Sequence, residues 1–264
     1  MAESRLEIGV IYTHERHFMP PLLTSMAASC QGHRARLLLV DNASADGAEQ
    51  WMPLFPEVRV IRNHRRLHYS ANLNRVIEHS DSDYLLLLNT DMYFDPPAQC
   101  LARMIEFMDA NPRCGLSGCR LLHADGSHAP SARRYQTLPI IAARRLGLAA
   151  FMRQTVADYL YADRAPTDTY ACDWLSGCFL MFRRETLEQV GLFDEGFVKY
   201  FEDVDICHRT ALAGWSVLYH GATYSYHLEQ RASRRLFSRD ARLHLKSYLR
   251  WLWKWGGTQR RRAA

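Results

Sequence analysis

Four short apolar runs in the first third of the chain constrain its fold more than any other feature. They are four to six residues long and cover residues 8–12, 36–41, 58–61 and 84–89. Segments with helical spacing, such as 70–79 and 98–108, alternate with them. Short strands that are apolar on both faces and alternate with helices are typical of a parallel sheet covered on both sides. The sequence therefore predicts an α/β fold.

Two aspartates follow predicted strands directly, Asp41 after the second and Asp91 after the fourth. In an open parallel sheet, ligands bind where the carboxyl ends of the strands meet. Asp91 closes the sequence Asn89-Thr-Asp91, whose oxygen atoms suit a hard cation that could in turn hold a diphosphate. Turn formation and helix capping use the same residue types. Both interpretations of this segment stay open.

A second acidic segment, at 200–209, holds three carboxylates within four positions, among them Glu202 and Asp203. Acidic residues are common at helix N-termini, which is one interpretation. Aromatic and apolar neighbours predict that at least one carboxylate is partly desolvated, and desolvation raises a pKa as a general base for a hydroxyl requires. His227 follows a β-like run at 215–226, and a histidine there can be structural or a metal ligand.

Charge divides the chain into an acidic body and a basic C-terminal segment. Residues 231–264 carry eleven Lys or Arg and one acid, against 22 basic and 27 acidic residues in 1–230. From 236 to 255, apolar residues recur at helical spacing among cations and tryptophans. Basic amphipathic helices of this kind lie on membranes, so we expect 236–262 to contact an anionic membrane surface. Packing of the same helix on the body is the alternative.

Composition limits where the protein works. No apolar run approaches the ~20 residues that cross a bilayer, and the N-terminus lacks a signal peptide. The seven cysteines have no zinc-type spacing and are predicted to be reduced and buried. We expect a cytoplasmic protein, peripheral on the inner face of the plasma membrane. A single-strand nucleic-acid binder is a different class suggested by the basic aromatic tail, but the acidic body disfavours it and we expect no nucleic acid.

Five segments together resemble glycosyltransferase family 2, the GT-A nucleotide-sugar transferases. They cover residues 40–47, 87–91, 173–181, 190–195 and 201–209. Within that family the chain is most similar to the bacterial rhamnosyltransferases of O-antigen and cell-wall assembly. The resemblance implies a GT-A fold, with a Rossmann-like nucleotide-binding core and a mostly parallel sheet with helices on both faces, followed by the basic helix. It divides residues 1–230 into a donor-binding half, about 1–120, and an acceptor-binding half, about 121–230; 231–264 form the tail.

The resemblance also implies roles for residues at matching positions. Asp203 would be the catalytic base of an inverting transferase that requires Mg²⁺ or Mn²⁺. Asp91 and His227 would hold that metal. The nucleotide-sugar donor would contact Asp41, Asn72, Asn89 and Asp91, and the acceptor would lie beside Trp174, Gly177 and Glu202. Gly177 has a structural alternative, since glycine also permits close backbone packing.

The implied reaction moves L-rhamnose from dTDP-L-rhamnose to a lipid-linked saccharide acceptor during synthesis of bacterial surface polysaccharide. A UDP-hexose or UDP-N-acetylhexosamine donor on the same fold is the alternative. Two departures from the family pattern bear on this. Asn89 replaces the first aspartate of the Asp-x-Asp motif. His68 stands where glycine is usual, so the family's donor contacts in this segment do not carry over directly. Arg65 or Arg66 could reach a phosphate there. Both departures keep a third class open, a scaffold protein without catalysis.

Overall fold

The computed structural model describes residues 5–30, 32–145, 147–228 and 239–256. In that part of the chain the strands are β1 (Leu6–Tyr12), β2 (Ala35–Asp41), β3 (Val58–Arg62), β4 (Tyr84–Leu88), β5 (Met92–Tyr93), β6 (Cys114–Leu122), β7 (His128–Ala129), β8 (Ala132–Arg133), β9 (Thr169–Ala171), β10 (Trp174–Leu175), β11 (Phe179–Arg183) and β12 (Ser216–His227). The helices are α1 (Met19–Ser29), α2 (Tyr69–Glu78), α3 (Cys100–Ala110), α4 (Leu138–Arg145), α5 (Arg153–Tyr159), α6 (Arg184–Val190), α7 (Glu202–Leu212) and α8 (Arg239–Trp255).

Ten strands form one sheet, in the spatial order β3-β2-β1-β4-β11-β6-β12-β5, with β7 beside β6 and β9 beside β12. Strands β1 to β4 form one parallel part of the sheet, and β6 and β12 form a second parallel pair. Strand β11 is antiparallel to both β4 and β6, and so joins the two parallel parts. The predicted α/β fold with a mostly parallel sheet is confirmed. The carboxyl ends of β1, β2 and β4 meet at one edge.

The continuous apolar runs have a simple structural reason, because side chains of a strand alternate between the two faces of the sheet. Leu37 and Leu39 of β2 pack in the core cluster that contains α1 and α3. Leu38 and Val40 pack in the opposite cluster, with α2 and α7. Both faces of β2 are therefore fully buried, as expected for a central parallel strand.

The seven cysteines are all buried and free, as the sequence predicts. The region 125–170, which the sequence leaves unassigned, contains α4, α5 and three short strands. Helix α8 confirms the helical pattern of the tail; the predicted residues 236–238 and 257–262 lie outside the described residues. In the part of the chain that the structure describes, no helix combines the length and apolar character that crossing a membrane requires.

Candidate active site

Asp91 and His227 meet at the carboxyl edge of the sheet, although 136 positions separate them in the sequence. The short strand β5 follows Asp91 immediately and pairs antiparallel with the end of β12, so that His227 lies opposite Met92. His227 Nε2 lies 3.3 Å from Asp91 Oδ1, and the two side chains are only 14% and 16% exposed. The Asp91 carbonyl accepts the Leu228 N–H at 2.8 Å and fixes the same junction.

A carboxylate and an imidazole are groups of the kind that hold a divalent cation. Asp91 carries carboxylate oxygens and lines one cavity, His227 carries an imidazole nitrogen and lines a second, and Asn89, with an amide oxygen, lines both. No group of three or more His, Cys, Asp or Glu side chains suited to a metal occurs among the described residues. A cation here would take its remaining ligands from water or from diphosphate oxygens, as Mg²⁺ commonly does.

A cavity of about 430 Å³ opens beside Asp91, and we name it the donor cavity. Its wall includes Thr13, Asn42, Asn72 and Asn89. Two of these residues are joined through the side-chain amide of Asn63. Asn63 Nδ2 donates to Asn72 Oδ1 at 2.6 Å and to Asn42 Oδ1 at 3.2 Å. Asn72 Nδ2 donates to the carbonyls of residues 67 and 68, both at 3.1 Å. The contacts of Asn72 thus hold the 63–68 loop, and its contact with a donor stays a prediction.

Asp41 ends β2 next to the donor cavity. It is 7% exposed, and its Oδ1 accepts the Ser44 N–H at 2.8 Å. Its neighbour Asn42 lines the cavity. Asp41 therefore shapes the turn at the cavity rim, and its predicted contact with the nucleotide is not tested by the geometry.

A second cavity of about 620 Å³ adjoins the first, and we name it the acceptor cavity. Gly177, Glu202, Asp203 and His227 line it. Tyr69, Asn89 and Lys199 line both cavities and so mark the place where they join. A reaction between two bound molecules would take place at such a junction.

Asp203 lies in the first turn of α7, where two backbone amides bind its carboxylate. Gly177 N–H donates to Oδ2 at 3.1 Å, and Val204 N–H donates to Oδ1 at 2.9 Å. Burial raises the pKa of Asp203, and the two N–H donors oppose that rise because they stabilise the charged form. A Cβ at position 177 would lie 3.5 Å from Asp203 Cβ, an ordinary contact, so packing does not require glycine there.

Glu202 differs from its neighbour, although both line the same cavity. It is 7% exposed, and within the described part of the chain its Oε2 has no hydrogen-bond partner. Burial, followed by the negative charge of Asp203, raises the pKa of Glu202 to about 8. At neutral pH, Glu202 is therefore mostly protonated.

The backbone before α7 is strained. Tyr200 and Phe201 both have a φ of 70°, a left-handed conformation that is unfavourable for side chains other than glycine. Helix α8 holds this turn: the Phe201 ring lies 5.7 Å from Tyr248 and 6.0 Å from Trp251, centroid to centroid. Ser247 Oγ also donates to the carbonyl of residue 199 at 2.9 Å. Packing against the tail helix therefore positions the two acidic residues.

Sequence reasoning missed two residues at the junction. The Tyr69 hydroxyl donates to Asn89 Oδ1 at 2.9 Å and contacts the Gly177 carbonyl at 3.3 Å. Lys199 brings a cation to the wall of both cavities. A lysine four residues before Asp203 was a visible signal, because cations beside buried carboxylates and phosphates are common in such sites. No feature of the sequence distinguished Tyr69.

Two further predicted positions have local structural roles. Trp174 is 5% exposed in β10, and its indole N–H donates to the Arg134 carbonyl at 2.8 Å. Trp174 is not among the described residues that line the acceptor cavity, so its contact with an acceptor stays a prediction. His68 is the N-cap of α2, where its Nδ1 accepts the Ala71 N–H at 3.4 Å. This explains how α2 can begin without the glycine that is usual in the family.

The architecture and the paired cavities define a GT-A-type transferase fold, and comparison with known proteins gives the family. The model of glycosyl transferase family 2 matches residues 8–191, and the chain belongs to that family.

Bacterial rhamnosyltransferases are among the similar sequences. The N-acetylglucosaminyl-diphospho-decaprenol L-rhamnosyltransferase of Mycobacterium tuberculosis is 30% identical over 256 residues, which is 92% of this chain and 82% of that protein. Rhamnosyltransferase WbbL of Escherichia coli K12 is 29% identical over 174 residues, or 66% of this chain and 62% of that protein. The predicted similarity to bacterial rhamnosyltransferases is confirmed.

Solved structures confirm the fold. Mannosyltransferase PcManGT from Pyrobaculum calidifontis, in complex with GDP-Man and Mn²⁺, has a TM-score of 0.59 and 16% identity, covering 88% of this chain and 59% of its own. Residues 1–349 of S. aureus TarS, in complex with UDP-GlcNAc, have a TM-score of 0.59 and 14% identity, covering 87% of this chain and 60% of their own. The chain therefore spans about three fifths of these longer proteins.

Proposed function

We propose that this protein is an inverting, metal-dependent glycosyltransferase that moves L-rhamnose from dTDP-L-rhamnose to a lipid-linked saccharide acceptor. The observation that carries the proposal is the position of Asp203. Its carboxylate lines the acceptor cavity, which meets the donor cavity at Tyr69, Asn89 and Lys199. The names of the M. tuberculosis and E. coli relatives support rhamnosyl transfer, and the former supports an acceptor with a lipid diphosphate.

In the reaction, an acceptor hydroxyl in the cavity gives its proton to the Asp203 carboxylate. The hydroxyl oxygen forms a bond to the anomeric carbon while the bond from that carbon to the diphosphate oxygen breaks. The nucleoside diphosphate leaves with the electron pair. Attack from the side opposite the leaving group inverts the anomeric configuration, and no covalent intermediate with the protein forms.

The other residues of the site orient and stabilise the reacting groups. The Gly177 and Val204 N–H groups each bind one oxygen of Asp203 and so fix the orientation of its carboxylate, which lines the acceptor cavity. Lys199 adds positive charge at the junction, where the diphosphate develops negative charge. Mg²⁺ or Mn²⁺ bound by Asp91 and His227 would supply further positive charge to the leaving diphosphate.

The division into a donor-binding and an acceptor-binding half is also part of the proposal. Apart from Lys199, the described residues that line the donor cavity come from positions 11–91. Most of those that line the acceptor cavity come from 176–227, and Leu243 of α8 adds to its wall. We also infer a membrane surface as a partner, because the proposed acceptor is lipid-linked.

The test is release of nucleoside diphosphate by the purified full chain. The assay contains Mg²⁺ or Mn²⁺, a panel of dTDP- and UDP-sugars, and a lipid-diphosphate N-acetylglucosamine acceptor, with Asp203→Asn as the matched control. Release that requires dTDP-L-rhamnose, metal and acceptor together supports the proposal. Release only from a UDP-sugar replaces the donor, and no release from any donor by correctly folded protein contradicts the proposed catalysis.

A further inference from the structure

Helix α8 presents two different faces. Its inner face contacts the body through Tyr248 and Trp251, which are 2% and 0% exposed. Trp255 adds a hydrogen bond from its indole N–H to Asp205 Oδ1 at 2.7 Å. The helix is therefore a packed part of the fold along this face.

Two of its cations also point inward, where they meet one half-buried and one fully buried aspartate. Arg250 contacts Asp194 at 2.9 Å, and Lys254 contacts Asp194 at 2.7 Å and Asp205 at 2.9 Å. These ion pairs hold α8 against the loop before α7 and against α7 itself. The cations on the opposite, outward side of the helix are therefore different residues.

The outer face is a stripe of exposed apolar residues between exposed cations. Leu245, Leu249 and Trp253 follow one another at intervals of four and are 53%, 56% and 83% exposed. Arg242 and Lys246 are exposed on the same side. With 3.6 residues per turn, the five residues share an arc of about 100°, opposite Trp251. We name these five residues the outer face of α8.

We propose that the outer face of α8 docks on an anionic membrane surface and presents the acceptor cavity to the bilayer. A leucine and tryptophan stripe flanked by Arg and Lys is complementary to a lipid interface with negative headgroups. It is poorly suited to a second copy of the chain, because pairing two such faces would bring like charges together.

The position of α8 connects this face to the proposed reaction. Leu243, one turn before Ser247, lines the acceptor cavity, and Ser247 holds the carbonyl of residue 199 at the cavity wall. A membrane on the outer face would therefore lie within one helix diameter of the acceptor cavity. This consequence depends on the proposed function, because it applies to a lipid-linked acceptor; docking itself does not.

Vesicle binding of the full chain tests the proposal. We compare vesicles of phosphatidylcholine with vesicles that also contain phosphatidylglycerol, by flotation. The test variant is Leu245→Ser/Leu249→Ser/Trp253→Ser. The matched control, Met52→Ser/Leu192→Ser/Leu212→Ser, replaces three other exposed apolar residues, which are 41%, 41% and 48% exposed. A second pair compares Arg242→Glu/Lys246→Glu with Arg34→Glu/Arg164→Glu on the body.

We expect the wild type and both controls to bind the anionic vesicles. The apolar variant should lose binding by at least ~10-fold, and removing two cations should cost roughly 30-fold or more. Far-UV circular dichroism confirms that each variant is folded. Equal binding by the test and control variants would overturn the proposal. If sedimentation showed a dimer for the wild type that the apolar variant lacks, and vesicle binding were unchanged, the outer face would instead be assigned to a second copy of the chain.

Activity separates this inference from the proposed function. If the transferase reaction is confirmed, the apolar variant should keep its rate on a short-chain, water-soluble acceptor and lose rate on a long-chain acceptor in vesicles. Equal rates on both acceptors would contradict presentation of the cavity to the bilayer. If no donor is used at all, the proposed function fails, and the vesicle result still decides whether α8 docks.

Discussion

The hydroxyl of Tyr69 donates a hydrogen bond of 2.9 Å to Asn89 Oδ1 at the junction of the donor and acceptor cavities. Asn89 stands where the family pattern has the first aspartate of Asp-x-Asp. The site therefore has one negative charge fewer beside Asp91, and a neutral hydrogen bond orients the amide. We expect this exchange to lower the affinity for a divalent cation and to stabilise the protein without one.

Restoring the family carboxylate tests that expectation. Asn89→Asp should bind Mn²⁺ several-fold more tightly than the wild type, because another carboxylate adds negative charge to the proposed cation site. Without metal, it should unfold at a lower temperature, since a second carboxylate beside Asp91 is repulsive. Metal titration and thermal unfolding measure both effects. Asn89→Ser is the control and should show neither; tighter metal binding by this variant as well would contradict a charge effect.

Asp203 and Glu202 are adjacent carboxylates with different expected roles, and their amides test the difference. Asp203→Asn removes the proposed proton acceptor, so turnover should fall by ~10²–10⁴-fold while donor affinity, measured by calorimetry, stays near the wild-type value. Glu202→Gln should cost little, because Glu202 is mostly protonated at neutral pH in the wild type. If Glu202→Gln lost more turnover than Asp203→Asn, the roles of the two residues would be reversed.

The stability of the protein should depend on pH through Glu202. Its pKa is raised in the folded state from 4.5 to about 8. Between these values, the unfolded chain ionises Glu202 and the folded chain keeps it protonated. The stabilising contribution is therefore complete below pH 4.5, falls as pH rises through this window, and levels off above about 8.

Glu202→Gln lacks this ionisation, so it should become more stable than the wild type as pH rises. The difference in unfolding free energy should grow by at most about 1.4 kcal/mol per pH unit, since one pKa unit has that value. Urea unfolding of both proteins at pH 5, 7 and 9 provides the measurement. A constant difference across this range would show that Glu202 is not protonated in the folded protein.

Much of the fold could be predicted because its strands are buried on both faces. The apolar runs gave β1 to β4 with bounds within about two residues, and the acidic segment gave the first turn of α7. Residues alone could not show that Asp91 meets His227. That contact depends on β5, a two-residue strand too short to recognise, which pairs with the end of β12. The expectation that Asp91 and His227 lie together came from the family resemblance and not from the residue pattern.

The tail helix shows a second reason why sequence alone predicts only part of the structure. From sequence, membrane contact and packing on the body were equal alternatives for the tryptophans. Successive helix residues turn by about 100°, so Trp251 and Trp253 lie on opposite sides. Trp251 is fully buried and Trp253 is 83% exposed. The helical period was visible in the sequence, but the side that faces the body depends on acids elsewhere in the chain, at Asp194 and Asp205.

Gly196 determines how closely α8 approaches the loop before α7. A Cβ at this position would overlap the guanidinium of Arg250, and the Gly196 N–H donates to Asp194 Oδ1 at 2.8 Å. Gly196→Ala should therefore displace the Arg250 guanidinium from Asp194, at a cost of up to ~1 kcal/mol in unfolding free energy, because the pair is partly exposed and the end of the Arg250 side chain can move. Urea unfolding measures this cost, and faster hydrogen exchange in α8 would locate it.

A double-mutant cycle separates this contact from a general effect of alanine at position 196. Arg250→Ala removes the side chain that the new Cβ would meet, so Gly196→Ala should cost much less in that background than in the wild type. The two effects are therefore expected to be strongly non-additive. Additive effects would mean that Gly196 acts through its own turn, and that α8 does not depend on close approach at this position.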